Sequence, residues 1–250
     1  MNNTESLKLM LKSLHLTSFQ EHYQSFARQA ESAEWSFEQY LKTLVEQEVQ
    51  ERAERRITRL LQRSCLPEGK SLETLDQKLL PVKARRQLAG LCDGGFIERA
   101  ENVLVFGLPG RGKTHLVAAV ARELIMNNGL PVFFINTRKL VERLLVAKKN
   151  LELEKELKKL DKFACVILDD IGYVQQSREE MEVLFAFLSE RYERRSLMIT
   201  SNLVFSEWDK IFKDAMTTAA AIDRLVHHSI ILELNNKSYR ANYAKQNLKK

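Results

Sequence analysis

The stretch Asn102-Val-Leu-Val-Phe-Gly-Leu-Pro-Gly-Arg-Gly-Lys-Thr-His-Leu116 places Gly107, Gly112, Lys113 and Thr114 at the spacing G-x-x-x-x-G-K-[ST]. An apolar run precedes the motif and a helical pattern follows it, the context that a phosphate-binding loop requires. Glycines at 107, 110 and 112 let the backbone take left-handed angles and approach phosphate oxygens without an intervening Cβ, so that successive N–H groups form an anion nest. The positive end of a helix starting near Lys113 adds to that attraction. Gly107, Leu108, Pro109, Gly110, Arg111, Gly112, Lys113 and Thr114 are therefore the expected nucleotide-binding loop. Lys113 would reach the β- and γ-phosphates and the Thr114 hydroxyl would ligate Mg²⁺. The alternative is a glycine-rich turn that binds nothing, and the strand-before, helix-after context argues against it.

Downstream, Cys165-Val-Ile-Leu-Asp-Asp170 is a short apolar run ending in two carboxylates. That is the pattern of a buried parallel strand whose C-terminal end opens on a site. Asp169 is expected to hold Mg²⁺, directly or through water, and Asp170 to orient the attacking water. A strand over 197–200 ends in Ser201-Asn202. The Asn202 amide there has two readings: a hydrogen bond to the γ-phosphate or lytic water, or a cap on the following turn. Leu116–Met126 reads as a helix stopped by Asn127-Asn128-Gly129, Val132–Ile135 as a buried strand, and Thr137–Lys162 as a long helical region rich in Lys and Glu. Met181, Leu184, Phe185 and Leu188 mark one face of a further helix, and Asp223-Arg224-Leu225 precedes a last strand at Ser229–Leu234.

Upstream, Leu7, Met10, Leu11 and Leu14 repeat at amphipathic-helix spacing. Tyr23, Phe26, Ala27 and Ala30 do the same, followed by Phe37, Tyr40, Leu41, Leu44 and Val45. Residues 1–64 are expected to be a small all-helical interaction domain with little core of its own. Residues 65–80, with Pro67, Gly69, Ser71 and Asp76, read as a linker, and residues 81–250 as the nucleotide-binding domain, opening with a helix over 82–92. Arg52, Arg55, Arg56, Arg59 and Arg63 fall on one helical stripe that suits a phosphate backbone. A solvated face with Glu48, Glu51 and Glu54 as intrahelical partners accounts for the same pattern equally well. Lys139, Arg143, Lys148 and Lys149 are further candidates for contact with nucleic acid, within a region whose charge is otherwise expected to be surface.

The net charge of +6 and pI near 9.2 suit an anionic partner. No apolar run approaches the roughly 20 residues needed to span a bilayer, and Met1–Glu5 lacks the basic and apolar pattern of a secretory signal. Cys65, Cys92 and Cys165 stand far apart and read as small hydrophobes in a reducing, cytoplasmic compartment. A metal at His227-His228 is not expected, because adjacent residues on a regular element point in different directions.

Taken together, these motifs resemble those of the AAA+ ATPases of the IstB/DnaC group, and within it the IstB-like helpers of insertion-sequence transposases. The marks are Gly-Lys-Thr-His-Leu at 112–116, Asp-Asp-Ile-Gly-Tyr at 169–173, Arg-Tyr at 191–192, Thr-Ser-Asn at 200–202, Glu-Trp at 207–208, Asp-Arg-Leu at 223–225 and Ser-Tyr-Arg at 238–240. The resemblance implies an α/β fold with a five-stranded parallel sheet of order 5-1-4-3-2 flanked by helices. It makes residues 107–114 the Walker A loop, Asp169 and Asp170 Walker B, Asn202 sensor 1, Arg224 an arginine finger acting on a neighbouring subunit, and Arg240 a nucleotide sensor. It further implies ATP and Mg²⁺ as ligands, a homo-oligomer on double-stranded DNA, and a cognate transposase as partner. A helicase loader of the DnaC type is the alternative, distinguished by preference for single strands. A small-molecule kinase would leave the helical N-terminal region and the late motifs unexplained. Many AAA+ proteins carry Glu where this chain has Asp170, so hydrolysis is expected to be slow and dependent on assembly. The short sequence after the last strand leaves little room for a helical lid.

Overall fold

Five apolar runs form parallel strands in the computed structural model, which describes residues 3–173, 177–203, 207–208 and 215–235. They are β1 (Asn102–Phe106), β2 (Val132–Asn136), β3 (Cys165–Asp169), β4 (Ser196–Ser201) and β5 (Ser229–Glu233). The sheet order is β2-β3-β4-β1-β5, the expected order 5-1-4-3-2 read from the other edge. Strands β1, β3 and β4 are buried along their whole length, whereas β5 at one edge is mostly half-buried. Such wholly apolar runs are what a parallel sheet covered on both faces requires. Leu104 and Phe106 of β1 join Val166 and Leu168 of β3 and Leu197 and Ile199 of β4 in a single core cluster.

In chain order the helices are α1 (Asn3–Ser13), α2 (Thr17–Ser32), α3 (Phe37–Ser64), α4 (Val82–Cys92), the short α5 (Gly95–Glu98), α6 (Lys113–Asn128), α7 (Thr137–Lys149), α8 (Leu153–Asp161), α9 (Arg178–Arg191) and α10 (Ala215–Val226). Helix α6 stops at Gly129, which takes a left-handed φ of 61°. Gly129 N–H donates to Ile125 O and Leu130 N–H to Leu124 O, closing the helix end as the Asn-Asn-Gly signal predicts. The region expected as one helical stretch, 137–162, is two helices broken at Leu151, whose φ is +58°.

The chain divides into two compact units, residues 1–59 and 60–250. The segment expected to be a linker, 65–80, belongs to the second unit, and Leu75 and Leu80 within it are buried.

In the first unit, α2 starts after Leu16, which offers no side-chain cap. A carboxylate from α3 supplies the missing acceptor: Ser18 N–H donates to Glu48 at 2.8 Å, and the Ser18 hydroxyl donates to Glu51 at 2.7 Å. Glu48 in turn accepts from Arg52, and Glu51 accepts from Gln47 at 2.8 Å and from Arg55 at 3.1 Å. Hydrogen bonds from Gln47, then Ser18, outweigh burial and hold the Glu51 carboxyl down at about 2 against an ordinary 4.5.

In the second unit, Arg191 is 2% exposed. It donates to the carbonyls of Leu160 (3.1 Å), Phe163 (3.0 Å), Ala164 (3.4 Å) and Ser196 (3.0 Å). One guanidinium thus ties the end of α8 to the starts of β3 and β4. Burial pulls its pKa down to about 10, so it remains charged at neutral pH.

Two outcomes follow. Because the folded-state pKa of Glu51 is depressed, its stabilisation is full above pH 4.5 and is lost as pH falls through about 2. Carboxyl NMR shifts should therefore show Glu51 still ionised at about pH 3.5, and Glu51→Gln should reduce the acid sensitivity of the helical unit. Arg191→Met should cost at least about 3 kcal/mol, because buried carbonyls lose their donor. An unchanged urea midpoint would contradict the role assigned to Arg191.

Candidate nucleotide site

The parallel register brings the C-terminal ends of β1, β3 and β4 to one edge of the sheet. Val103 pairs with Met198 and Leu168 with Ile199, so the loop after β1 lies beside Asp169, Asp170 and Asn202. Gly107 has φ +154°, and a Cβ built on it would lie 2.5 Å from Leu234 O. Its N–H donates to Ser201 O at 3.2 Å, and Leu234 N–H donates to Phe106 O at 2.7 Å. Only glycine fits between the strand ends that flank the loop. Arg111 reaches the same Leu234 carbonyl at 3.2 Å.

Helix α6 begins at Lys113, and its first residues point in successive directions about 100° apart. The Lys113 ammonium, 5% exposed as a residue, donates to Gly107 O at 2.7 Å, to Leu108 O at 3.2 Å and to Asn202 Oδ1. The Thr114 hydroxyl donates to the two Asp169 oxygens at 3.0 and 3.2 Å. His115 turns towards the 69–75 segment, with Nε2 at 3.0 Å from Thr74 Oγ1 and 3.1 Å from Ser71 O. Burial lowers the His115 pKa; the Ser71 carbonyl opposes this and the nearby Lys70 charge assists it.

Asp169 ends β3 with its carboxylate buried, accepting from Thr200 Oγ1 at 2.7 Å as well as from Thr114. Its carbonyl accepts from Thr137 Oγ1 at 3.0 Å and Asn136 Nδ2 at 3.4 Å. Asp170 takes a left-handed φ of 59°, a conformation that Asp and Asn tolerate better than most residues. Its N–H donates to Thr200 Oγ1 at 2.9 Å, and its Oδ1 accepts from Asn202 Nδ2 at 3.4 Å. Asn202 therefore links the Lys113 ammonium to the Asp170 carboxylate.

These groups line a cleft of about 250 Å³, with Lys70, Leu75 and His115 on its wall beside Gly110, Gly112, Lys113, Thr114, Asp170 and Asn202. An ammonium facing three oxygens under a glycine-rich loop has the donors a polyphosphate needs. The hydroxyl of Thr114 against the Asp169 carboxylate is a hard-oxygen pair that suits Mg²⁺, and these two residues would hold the ion.

Several expected residues lie elsewhere. Arg224 is on α10, its guanidinium 4.7 Å from the centre of the Phe185 ring and donating to Ser189 Oγ, and it does not line the cleft. Arg240 lies outside the described residues. Of the basic residues proposed for DNA, Arg52 pairs with Glu48 and Arg55 with Glu51. Arg143 pairs with Glu156 over the Phe133 ring, and Lys148 pairs with Glu182 at 2.7 Å. Arg56, Arg59, Arg63, Lys139 and Lys149 are exposed. His227 and His228 lie in the turn after α10, where one nitrogen of each and a Glu193 carboxylate oxygen are within 4.8 Å of one another, all on exposed residues. Sequence reasoning overlooked Thr200 as the hydroxyl joining Asp169 to the Asp170 backbone, and Lys70 and Leu75 as cleft residues.

Comparison with known proteins adds to this geometry. Residues 9–247 match the model of the IstB-like ATP binding protein family. The chain is 44% identical over 235 residues to an insertion-sequence ATP-binding protein of Sinorhizobium fredii, covering 94% of this chain and 78% of that one. It is 36% identical over 237 residues to the protein of Pseudomonas aeruginosa named for ATP binding in insertion sequence IS21, covering 94% and 88%. Among solved structures, the DnaC helicase loader superposes with a TM-score of 0.59 at 18% identity, over 67% of this chain and 98% of that chain. DnaA bound to AMPPCP and single-stranded DNA gives 0.59 at 16% identity, over 74% and 56%. At these identities the structural likeness establishes the fold alone, that of an AAA+ P-loop protein. Among the described residues no helix is long and apolar enough to cross a membrane.

Thr200 is wholly buried, so Thr200→Val keeps the volume and removes both hydrogen bonds. The loss should be about 1–3 kcal/mol in urea unfolding, with Thr200→Ser recovering most of it. Equal stability of the Val variant and the parent would contradict the joining role.

Proposed function

The chain belongs to the IstB-like ATP-binding proteins, and from that footing we propose that it is an ATP-dependent helper of a transposase. In this reading it assembles as a homo-oligomer on duplex DNA, with ATP at the subunit interfaces, and recruits or activates the transposase. The observation that carries the nucleotide part is the convergence of Lys113, Thr114, Asp169, Asp170 and Asn202 at one sheet edge.

The chain's own residues divide the work of hydrolysis. The loop amides and the Lys113 ammonium bind the β- and γ-phosphates, replacing the carbonyl and amide oxygens that Lys113 now contacts. Thr114 and Asp169 would hold Mg²⁺, which supplies charge neutralisation on the phosphates when bound. Asp170, fixed by Thr200 and Asn202, orients the attacking water and accepts its proton as the γ-phosphoryl group leaves ADP. Arg224 completes the site of the neighbouring subunit, which makes turnover slow in the monomer and dependent on assembly. ATP stabilises the oligomer because it binds the assembled form better, and hydrolysis releases or remodels it. Arg56, Arg59, Arg63, Lys139 and Lys149 are exposed and are candidates for phosphate contacts on DNA. The names of the relatives at 36–44% identity support the transposition helper over the helicase loader.

Lys113→Ala should abolish nucleotide-dependent binding to duplex DNA in a mobility-shift or sedimentation assay. Asp170→Asn keeps a residue that tolerates the left-handed backbone but removes the charge, and should trap the ATP-bound assembly on DNA. If both variants bind duplex as the parent does without nucleotide, the proposal fails.

A further inference from the structure

His115 follows two residues assigned to phosphate and metal, yet the proposed chemistry gives it no task. Its ring faces the 69–75 segment, forty residues earlier in the chain. That segment is organised around Thr74: its hydroxyl lies 2.8 Å from Gly69 O and 3.1 Å from Ser71 O, and it accepts from Ser71 N–H at 3.0 Å. Thr74 N–H donates back to Ser71 Oγ at 3.4 Å, and Leu75 N–H donates to Ser71 O at 3.1 Å. The segment is therefore a closed, self-bonded loop rather than a slack connection.

The Thr74 hydroxyl has one proton, and a carbonyl at 2.8 Å is its nearest acceptor. His115 Nε2 therefore carries its own proton and donates it to Ser71 O or to the Thr74 oxygen. This single N–H ties the loop to the first turn of α6. The loop bears Lys70 and Leu75, and both line the cleft shared with Gly110, Gly112 and Lys113. Leu75 is 4% exposed and anchors the far end of the loop. Besides Lys113, Lys70 is a second lysine lining the cleft, and a cationic side chain at that place attracts polyphosphate.

We propose that His115 is a positioning residue that clasps the 69–75 loop against the nucleotide cleft, and that the clasp delivers Lys70 as a further polyphosphate-binding residue. The inference rests on the nucleotide-binding reading and deepens it. His115 touches no reacting atom, so its effect falls on nucleotide affinity and not on the chemical step.

The test is binding of a ribose-labelled fluorescent ATP to the full-length chain, followed by steady-state hydrolysis on duplex DNA. Lys70→Gln and His115→Ala should each weaken nucleotide binding on the order of tenfold, as loss of one charge-assisted or buried hydrogen bond would. The KM for ATP should rise while kcat changes little. His115→Gln carries an N–H at a position comparable to Nε2 and should restore most of the affinity, which a general packing role of the imidazole would not produce. In the double variant His115→Ala with Lys70→Gln, the losses should not add, because the histidine acts through the lysine. Additive losses, or failure of Gln to rescue Ala in a variant with parental unfolding temperature, would overturn the clasp. Lys113→Ala separates the two levels of the argument. If it abolishes binding while the His115 and Lys70 variants bind as the parent does, only the clasp is wrong. If Lys113→Ala also binds normally, the nucleotide site itself is misassigned.

Discussion

The candidate site depends on one buried carboxylate. Asp169 accepts hydrogen bonds from Thr114 on α6 and Thr200 on β4, and its own backbone ends β3. Three elements distant in sequence thereby meet at a single charged group. A carboxylate this buried is costly unless hydrogen bonds compensate it, so the two hydroxyls are part of the fold as well as of the site. Thr200 then serves a second time, receiving the Asp170 N–H and fixing the neighbouring carboxylate in its left-handed conformation. Removing the Asp169 carboxylate would take away the side-chain bonds that tie the P-loop helix and Thr200 of β4 to the end of β3.

Under the proposed function, the site is half of something. Lys113, Thr114, Asp169, Asp170 and Asn202, to which the proposal assigns phosphate, metal and water, meet at the C-terminal edge of the sheet, while Arg224 sits on α10 against Phe185 and Ser189 and does not line the cleft. With Arg224 proposed as the charge-stabilising arginine, its place outside its own cleft gives it a use at a second subunit. Under the proposed function, the nucleotide then reports on assembly: ATP strengthens the interface, and its loss weakens it. DNA would act by holding subunits at the spacing at which each arginine meets its neighbour's phosphates.

Much of this was legible in the chain, and the exceptions share a cause. The strand and helix bounds around 102–128 followed from local pattern, because the apolar run, the glycines and the Asn-Asn-Gly stop are all short-range signals. The break at Leu151 is marked only by Asn150 after Lys148 and Lys149, a weaker stop than Asn-Asn-Gly, and Lys- and Glu-rich sequence resumes beyond it. The arginine stripe of α3 illustrates the limit of periodicity: Arg52 and Arg55 do share a face, but that face carries Glu48 and Glu51, which α2 recruits to cap its first turn. Residues 65–80 look like a linker because Pro67, Gly69, Ser71 and Asp76 interrupt any helical pattern; buried Leu75 and Leu80 and a hydrogen bond to His115 hold the segment in place. Thr200 falls within the Thr-Ser-Asn motif, yet its task emerges only from the register that sets Leu168 beside Ile199. Local chemistry announced the loop and the acids, and tertiary pairing decided which neutral side chains hold them.

The central claim is that each ATP site is completed by another subunit, and a mixing experiment tests it most directly. Lys113→Ala retains Arg224 but has a crippled P-loop; Arg224→Ala retains the P-loop but lacks the arginine. Each variant alone should be almost inactive in phosphate release on duplex DNA with Mg²⁺ and ATP. Mixed in equal amounts, they should regain a substantial fraction of the parent's hydrolysis, since some interfaces pair an intact loop with an intact arginine. If the mixture stays as inactive as its components while both variants still assemble with the parent, the site is not shared and the account is wrong.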